Sequence, residues 1–421
     1  MGSTSAIQQS WTITPAAPAL PVSSVKAGGL FRTLLGLAFA ISFFVMVEPA
    51  PVDGMMIGLF ACGVMFGMVQ LRTLPVLPVA LLSGLALANL ASMVGADNSA
   101  RATFYAFVTF YMMISWALIV GAVNHYGESV LKPVFIGYAI AVMIAVIPAA
   151  ASYFHLIGFQ YVLLKFGRPK GFFKDPNVYG PYLVFVAVLA ITGCLPVKSR
   201  LVQIFVAIVA AVGVIFSYSR AAWINYALAL AVFAVFDHLL PCRAADGRSS
   251  SLPMLVTVGV LAVTSLGALS QVPAVKTMLA ARLGEGGMHD YDKIRFQTQR
   301  MAVAAAIEHP LGIGPGQSEA TYTYATHSAY MRILGENGLF GLFCFVSFLF
   351  ATMVQAIVQI SKAQSRYWRS IYLVAAACIC GHLINSGVVD TVHWRHAWFL
   401  LALPWVSNTV VAAQRANGRT L

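Results

Sequence analysis

"GRPKGFFKDPNVYGPYLVFVAVLAITGCL", residues 167–195, holds the two signals that organise the whole chain. Its second half, from Asn177 to Leu195, has no charged side chain. Taken as a helix at 1.5 Å per residue, that run crosses most of about 30 Å of hydrocarbon. Its first half carries Arg168, Lys170 and Lys174, with Lys165 just upstream. Asp175 and Pro176 stand between the halves. They are expected as the N-cap and first residue of the apolar helix. The positive end of that helix and its free N–H groups would then face the cations, an arrangement suited to an anion.

Working outward, apolar runs of similar length occur near 29–47, 54–71, 74–94, 103–122, 133–154, 177–195, 201–217, 221–240, 253–271, 329–358, 370–389 and 397–413. About twelve transmembrane helices are expected, in one all-α, polytopic membrane domain. With 59% hydrophobic and 10% charged residues and a mean hydropathy of +0.80, the chain has more apolar surface than a soluble domain can bury. The expected division is a cytoplasmic segment 1–28, helices over 29–271, a long, partly helical loop 272–328, helices over 329–413 and a cytoplasmic tail 414–421. Residues 1–28 lack the layout of a cleaved signal peptide, so the first helix is expected to remain. The six cysteines, Cys62, Cys194, Cys242, Cys344, Cys378 and Cys380, include no CxxC pair. They give neither a disulfide framework nor a zinc site.

The net charge of +12 calls for an anionic partner, but cations spread over short loops do not suit nucleic acid. Orientation follows the excess of Lys and Arg in short inside loops. Lys26, Arg32, Arg72, Lys132, Lys198, Arg200, Arg243, Arg248, Lys362, Arg366, Arg369, Arg415 and Arg419 fall on one side, expected to be cytoplasmic with both termini. The short loops opposite hold little beyond Arg101 and Arg395. Two outer segments break this pattern. One is 165–174; the other is 272–328, with Lys276, Arg282, Lys293, Arg295 and Arg300. Long loops escape the charge rule, which accounts for the second segment better than the first.

Arg220, in "SYSRAAW" (217–223), falls at an outer turn between two apolar runs. A guanidinium so near hydrocarbon needs a partner. Snorkelling to phospholipid phosphate is one answer, and a bound diphosphate gripped by its planar fork is another. In "YDKIRFQTQRMAVAAAIEHPLGIGPGQ" (291–317) an amphipathic helix is expected to end near His309-Pro310, followed by a turn built on Gly312, Gly314 and Gly316. Arg295 and Arg300 stand about 140° apart on it, so they need not share a face. The glycines lack a following lysine and suit turn formation better than phosphate binding. In "HSAYMRILGENGLFG" (327–341), His327, Tyr330, Met331, Leu334 and Gly338 share a face, and Arg332 and Glu336, spaced i,i+4, share another. That pair is expected to be a structural ion pair. His327 is separate from it and suits a general base acting near neutral pH. "HWRH" (393–396) is expected at the interface, since two histidines alone rarely make a metal site.

Four of these segments, in order over 165–341, resemble the O-antigen ligase and polysaccharide polymerase superfamily of bacterial inner-membrane proteins: "GRPKGFFKDPNVYGPYL", "YSRAAW", "IRFQTQRMAVAAAIEHPLGIGPG" and "THSAYMRILGENGLFG". Ser328 and Gln299 stand where that family usually has Asn and Trp. The resemblance implies a membrane-embedded, GT-C-type glycosyltransferase that needs no metal or other cofactor. It would act at the periplasmic face on a saccharide donor carried by undecaprenyl diphosphate. The acceptor would be a growing saccharide or lipid A–core. It further implies Arg220 and Arg295 on the diphosphate and His327 as base, with inversion at the anomeric carbon. Arg168, Lys170 and Arg300 are secondary candidates. Polymerase is the first expectation and ligase the alternative. A lipid-linked sugar flippase is a third possibility, but the stretches 54–94 and 201–271 show almost no charge at mid-depth, where transporters place theirs.

Overall fold

A computed structural model describes residues 22–240, 267, 271–283, 290–322 and 326–406. Its helices are α1 (Val22–Ala40), α2 (Pro51–Met65), α3 (Val76–Ser92), α4 (Ser99–Tyr126), α5 (Glu128–Tyr153), α6 (Pro176–Ile191), α7 (Arg200–Phe216), α8 (Arg220–Leu239), α9 (Pro273–Leu283), α10 (Asp290–Glu308), α11 (Ala329–Lys362), α12 (Arg366–Val388) and α13 (Arg395–Ala402). The chain is an integral membrane protein. A two-residue-per-strand hairpin, β1 (Leu164–Lys165) against β2 (Arg168–Pro169), precedes α6. Helix ends follow local chemistry. Asp175 caps α6, accepting from the Asn177 amide at 2.9 Å, with Pro176 at the first helical position. Ser199, Ser219, Ser328 and Ser365 cap α7, α8, α11 and α12 in the same manner.

Among the described residues every expected apolar run is helical, but the helices are uneven. Six runs are long and apolar enough to span a membrane: Val76–Gly95, α4, α5, α8, α11 and α12. Four more, Ala27–Ala40, α2, α6 and α7, are apolar but only 10–17 residues long. The expected helix 253–271 lies outside the described residues apart from residues 267 and 271. The last expected run, 397–413, lies outside the described residues beyond 406; within it α13 passes into a 3₁₀ turn at Leu403–Trp405. Hydropathy alone overstates helix length where turn residues are themselves apolar.

Helix α6 is the axis of the bundle. It packs on α7, α8 and α12, and Leu183 to Ala190 have almost no exposure. Around it α1 lies on α5, α8 on α12, and α3 on α11. At the end of the bundle away from the α6 cap, the Arg369 guanidinium donates to the Asp237 and Leu240 carbonyls at 3.1 and 3.2 Å. It closes the C-terminus of α8 with a cation, as the helix dipole favours.

The main departure from the expected helices is in α11. Gly338 has φ 67° and ψ −171°, so the helix breaks there. The face expected to run from His327 to Gly338 therefore ends one turn early. The glycine turn fills the gap: the Ile313 and Gly314 amides donate to the Gly335 and Glu336 carbonyls at 2.9 and 3.0 Å. A Cβ on Gly338 would lie 2.1 Å from the Pro310 carbonyl oxygen, and one on Gly312 2.3 Å from that of Glu336. Gly338→Ala should therefore destabilise the protein by more than about 2 kcal/mol, through strain and collision together. Gly58→Ala in α2, where a Cβ meets nothing within 4 Å, should be neutral or mildly stabilising. Thermal midpoints in detergent compare the two; a Gly338→Ala midpoint at the parental value would refute the docking constraint.

Candidate active site

Arg220 is the first residue of α8 and is exposed. It follows a tightly built turn. Ser217, Tyr218 and Ser219 are all buried, Tyr218 sits in the left-handed region at φ 48°, and the Ser217 hydroxyl donates to the Val214 carbonyl at 2.6 Å. The 165–175 loop packs against this turn. Arg168, 7% exposed, donates from Nε to the Ser217 carbonyl at 3.1 Å and from Nη2 to Asn177 Oδ1 at 3.2 Å. Lys170 is equally buried, and its ammonium donates to the Phe173 carbonyl at 3.0 Å. Burial, then the nearby Lys165, lowers the Lys170 pKa, with Asp175 acting against them. Lys165 pairs with the capping Asp175 at 2.9 Å. Thus two cations at the mouth of α6 are buried, while Arg220 beside them is exposed.

His327 lies one residue before the cap of α11, half-buried and left-handed at φ 46°. Histidine tolerates that region better than most residues, but it is a strained choice that tends to mark functional positions. Its neighbours are held from two sides. Gln299 of α10 donates to the Thr326 carbonyl at 3.1 Å. The Ser328 hydroxyl donates to Ser386 and the Tyr330 hydroxyl to the Leu383 carbonyl, at 3.4 and 2.8 Å, both on α12. Helix α10 runs along α11, with Ala302 against Gly335. This helix carries Arg300, which is exposed, and Arg295, whose side chain lies outside the described residues.

The antiparallel pair α8 and α12 relates Arg220 to His327. Gly381 approaches Asn225 so closely that a Cβ would lie 2.3 Å from Asn225 Oδ1. From that contact, five residues up α12 reach Ser386 and five up α8 reach Arg220, about 7.5 Å in each case. Arg220 and the start of α11 therefore stand at the same level of the bundle.

Arg332 and Glu336 form the i,i+4 contact, Nε to Oε2 at 3.1 Å, with both side chains buried. The cluster is larger than the sequence suggested. Arg332 also meets Glu319 at 3.3 Å and Asp390, while Arg101 and the Tyr105 hydroxyl reach Glu319 at 2.7 and 2.8 Å. Glu336 accepts from the Gly316 amide at 2.8 Å and from the amide and hydroxyl of Ser318. The glycine turn is therefore a nest of N–H groups for an anion. That anion is a carboxylate of the chain itself. Burial raises the pKa of Glu319 and of Asp390, but Arg332 together with Tyr105 and Arg101 at Glu319, and with His393 and the Val392 amide at Asp390, outweighs it and holds both below the usual carboxylate range.

A second network adjoins. Arg395 clasps Asp53 with two bonds of 2.6 Å and reaches Glu48 at 3.5 Å, and Lys174 pairs with Glu48. "HWRH" is thus interior rather than interfacial: His396 is 6% exposed, and burial brings the His393 pKa down to about 4, which leaves it neutral. Glu319, Asp390, Asp53 and Glu48 are the partners that sequence reasoning missed. Each is far along the chain from its cation, so no local spacing could reveal it. Only the sequence position of these acids, at the same ends of apolar runs as the cations, hinted at a shared layer. Among the described residues no group of three or more His, Cys, Asp or Glu is placed to hold a metal ion.

The family model described as O-antigen ligase matches residues 205–346. That span begins in α7, includes the Arg220 turn, α8, α10, the glycine turn and His327, and ends within α11. No curated protein matches the chain. Over that span, about a third of the chain, the protein is similar to the O-antigen ligase family.

Proposed function

We propose that the protein is a metal-independent, inverting glycosyltransferase of the bacterial inner membrane. It uses a saccharide linked to undecaprenyl diphosphate and works at the periplasmic face, with both termini cytoplasmic. The observation that carries this reading is the common level of Arg220 and His327, an exposed guanidinium at a helix N-terminus and a strained histidine at the start of α11.

The chemistry follows from those groups. The acceptor hydroxyl is a weak nucleophile, and His327 takes its proton as the oxygen attacks the anomeric carbon. The bond from that carbon to the diphosphate oxygen breaks on the opposite side, which inverts the centre. Undecaprenyl diphosphate leaves with the electron pair. Arg220, at the positive end of α8, and Arg295 of α10 hold the negative charge that develops there. Arg300 and Lys170 add field, and Arg168 shapes the turn under Arg220. These cations supply the charge that a metal ion provides in other transferases. The preferred acceptor is the end of another lipid-linked saccharide, which makes the enzyme a polymerase of repeat units. The description of the matching family model favours the second reading, transfer to lipid A–core. Purified protein given donor with and without lipid A–core distinguishes them: a ladder means polymerase, a single transfer to core means ligase, and no bond formed rejects both.

Arg220→Ala should lower turnover about 10²- to 10³-fold, the scale of losing one preorganised charge donor, with folded yield retained. Arg220→Lys should recover only part, because an ammonium has no bidentate fork. Near-parental turnover in Arg220→Ala removes it from the diphosphate site. Activity should persist in excess EDTA; loss on chelation that magnesium or manganese restores would overturn the metal-free step. His327→Ala should cost about 10²- to 10⁴-fold in turnover per folded molecule while donor still binds. Glu336→Ala leaves the Arg332 cluster and the Gly316 and Ser318 amides without their carboxylate, so it should mainly reduce folded protein, by about 3–5 kcal/mol. A folded but inactive Glu336→Ala beside an active His327→Ala would exchange the two roles.

A further inference from the structure

Between the segment that follows α5 and helix α9 lies an open groove of about 530 Å³, the size of small-ligand sites. Aromatic rings of Tyr153, Tyr161 and Phe166 line it, Met278 of α9 stands among them, and His155 and Gln160 supply polar edges. Tyr161 and Phe166 are 83% and 85% exposed, more than a ring that serves packing would be.

The backbone adds a second observation. Phe166 and Gly167 form the two-residue turn between β1 and β2, with φ of 53° and 70°. Left-handed angles at both positions are those of a type I′ turn, whose first position ordinarily takes Asn, Asp or Gly. A phenylalanine there is strained and contributes little to packing. His155 and Phe159, at φ 58° and 71°, repeat the pattern. The segment holds its rings outward at a cost in stability, which points to a ligand.

The groove adjoins the Arg220 turn on two sides. Gly167 is followed by Arg168, which binds the Ser217 carbonyl, and the Tyr218 hydroxyl donates to that of Tyr153 at 3.0 Å. Helix α9 packs Val275, fully buried, against Tyr153, Phe216 and Tyr218. A helix from the long loop thus contributes one wall of the groove, through Met278. A sugar ring offers apolar C–H faces and hydroxyl edges, which match flat aromatic walls with an imidazole and an amide between them.

We infer that this groove is the saccharide subsite of the donor, taking the sugar that is attached to the diphosphate at Arg220. The inference rests on the diphosphate reading above, and its test separates the two. Full-length protein in nanodiscs is titrated with undecaprenyl diphosphate and with the same lipid carrying an oligosaccharide repeat unit extracted from producing cells. The double variant Tyr161→Ala/Phe166→Gly should bind the sugar-free lipid within twofold of the parent and the sugar-bearing lipid about tenfold more weakly, the scale of two aromatic contacts. Phe166→Gly alone should melt no lower than the parent, since glycine relieves the left-handed strain. Equal loss on both lipids would mean that the rings hold lipid or fold, and no loss on either would mean that the groove takes no ligand; each outcome overturns the inference. Arg220→Ala should weaken both lipids alike. If it weakens neither, the diphosphate assignment fails, while the difference between the two lipids in the groove variant still decides the subsite.

Discussion

The buried carboxylate of Glu336 is the constraint on which the site end of the bundle depends. A lone carboxylate inside a membrane protein is costly unless charge and hydrogen bonds surround it. Here the surroundings come from two parts of the chain, Arg332 one turn back on α11 and the Gly316–Ser318 turn, while Arg332 is itself shared with the acids Glu319 and Asp390. Satisfying one group therefore fixes the end of the long loop, the break in α11 and the connection after α12 against one another. Breaking the helix at Gly338 exposes the Gly335 and Glu336 carbonyls, and the turn's amides cover them. Break and turn each need the other.

Charge is layered. From Lys165 through Asp175, and from Lys174 through Glu48 to Arg395 and Asp53, ion pairs run across one end of the bundle. The Arg332 cluster continues the layer. Most of these cations have acidic partners in the fold, which explains why the chain carries more positive charge at this end than any one anion needs. Buried pairs of this kind add little net stability, but they fix geometry because removing one partner strands the other. Arg220 is exposed at the edge of the layer, on a turn whose three preceding residues are buried.

Much of this was legible in the sequence. Apolar run length announced the helices, Asp175-Pro176 announced a capped start, and the i,i+4 spacing of Arg332 and Glu336 announced their contact. The glycines at 312, 314 and 316 announced a turn, and all three have left-handed φ. Period and local spacing report only what neighbours in sequence do. The break at Gly338 was hidden because its flanks, Glu336-Asn337 and Leu339-Phe340, fit a helix as well as a kink; the cause lies in Pro310 and Gly312. Asp390 and Glu319 were hidden for the same reason. "HWRH" looked interfacial because its charge was visible and its partner Asp53, more than three hundred positions earlier, was not.

The shortness of α7 has a consequence for the lipid around it. At 17 residues it is about 25 Å long, against roughly 30 Å of hydrocarbon. Its first turns face outward, with Leu201 78% and Phe205 55% exposed, and its last turns are covered by α9. A bilayer meeting this helix must thin by a few ångströms, since hydrophobic mismatch is relieved by the softer partner. The water boundary then dips beside the exposed first turns of α7, at the Arg369 end of the bundle. Lipid heads in that leaflet would sit lower there, so the membrane is shaped by the end of the bundle opposite the charged layer.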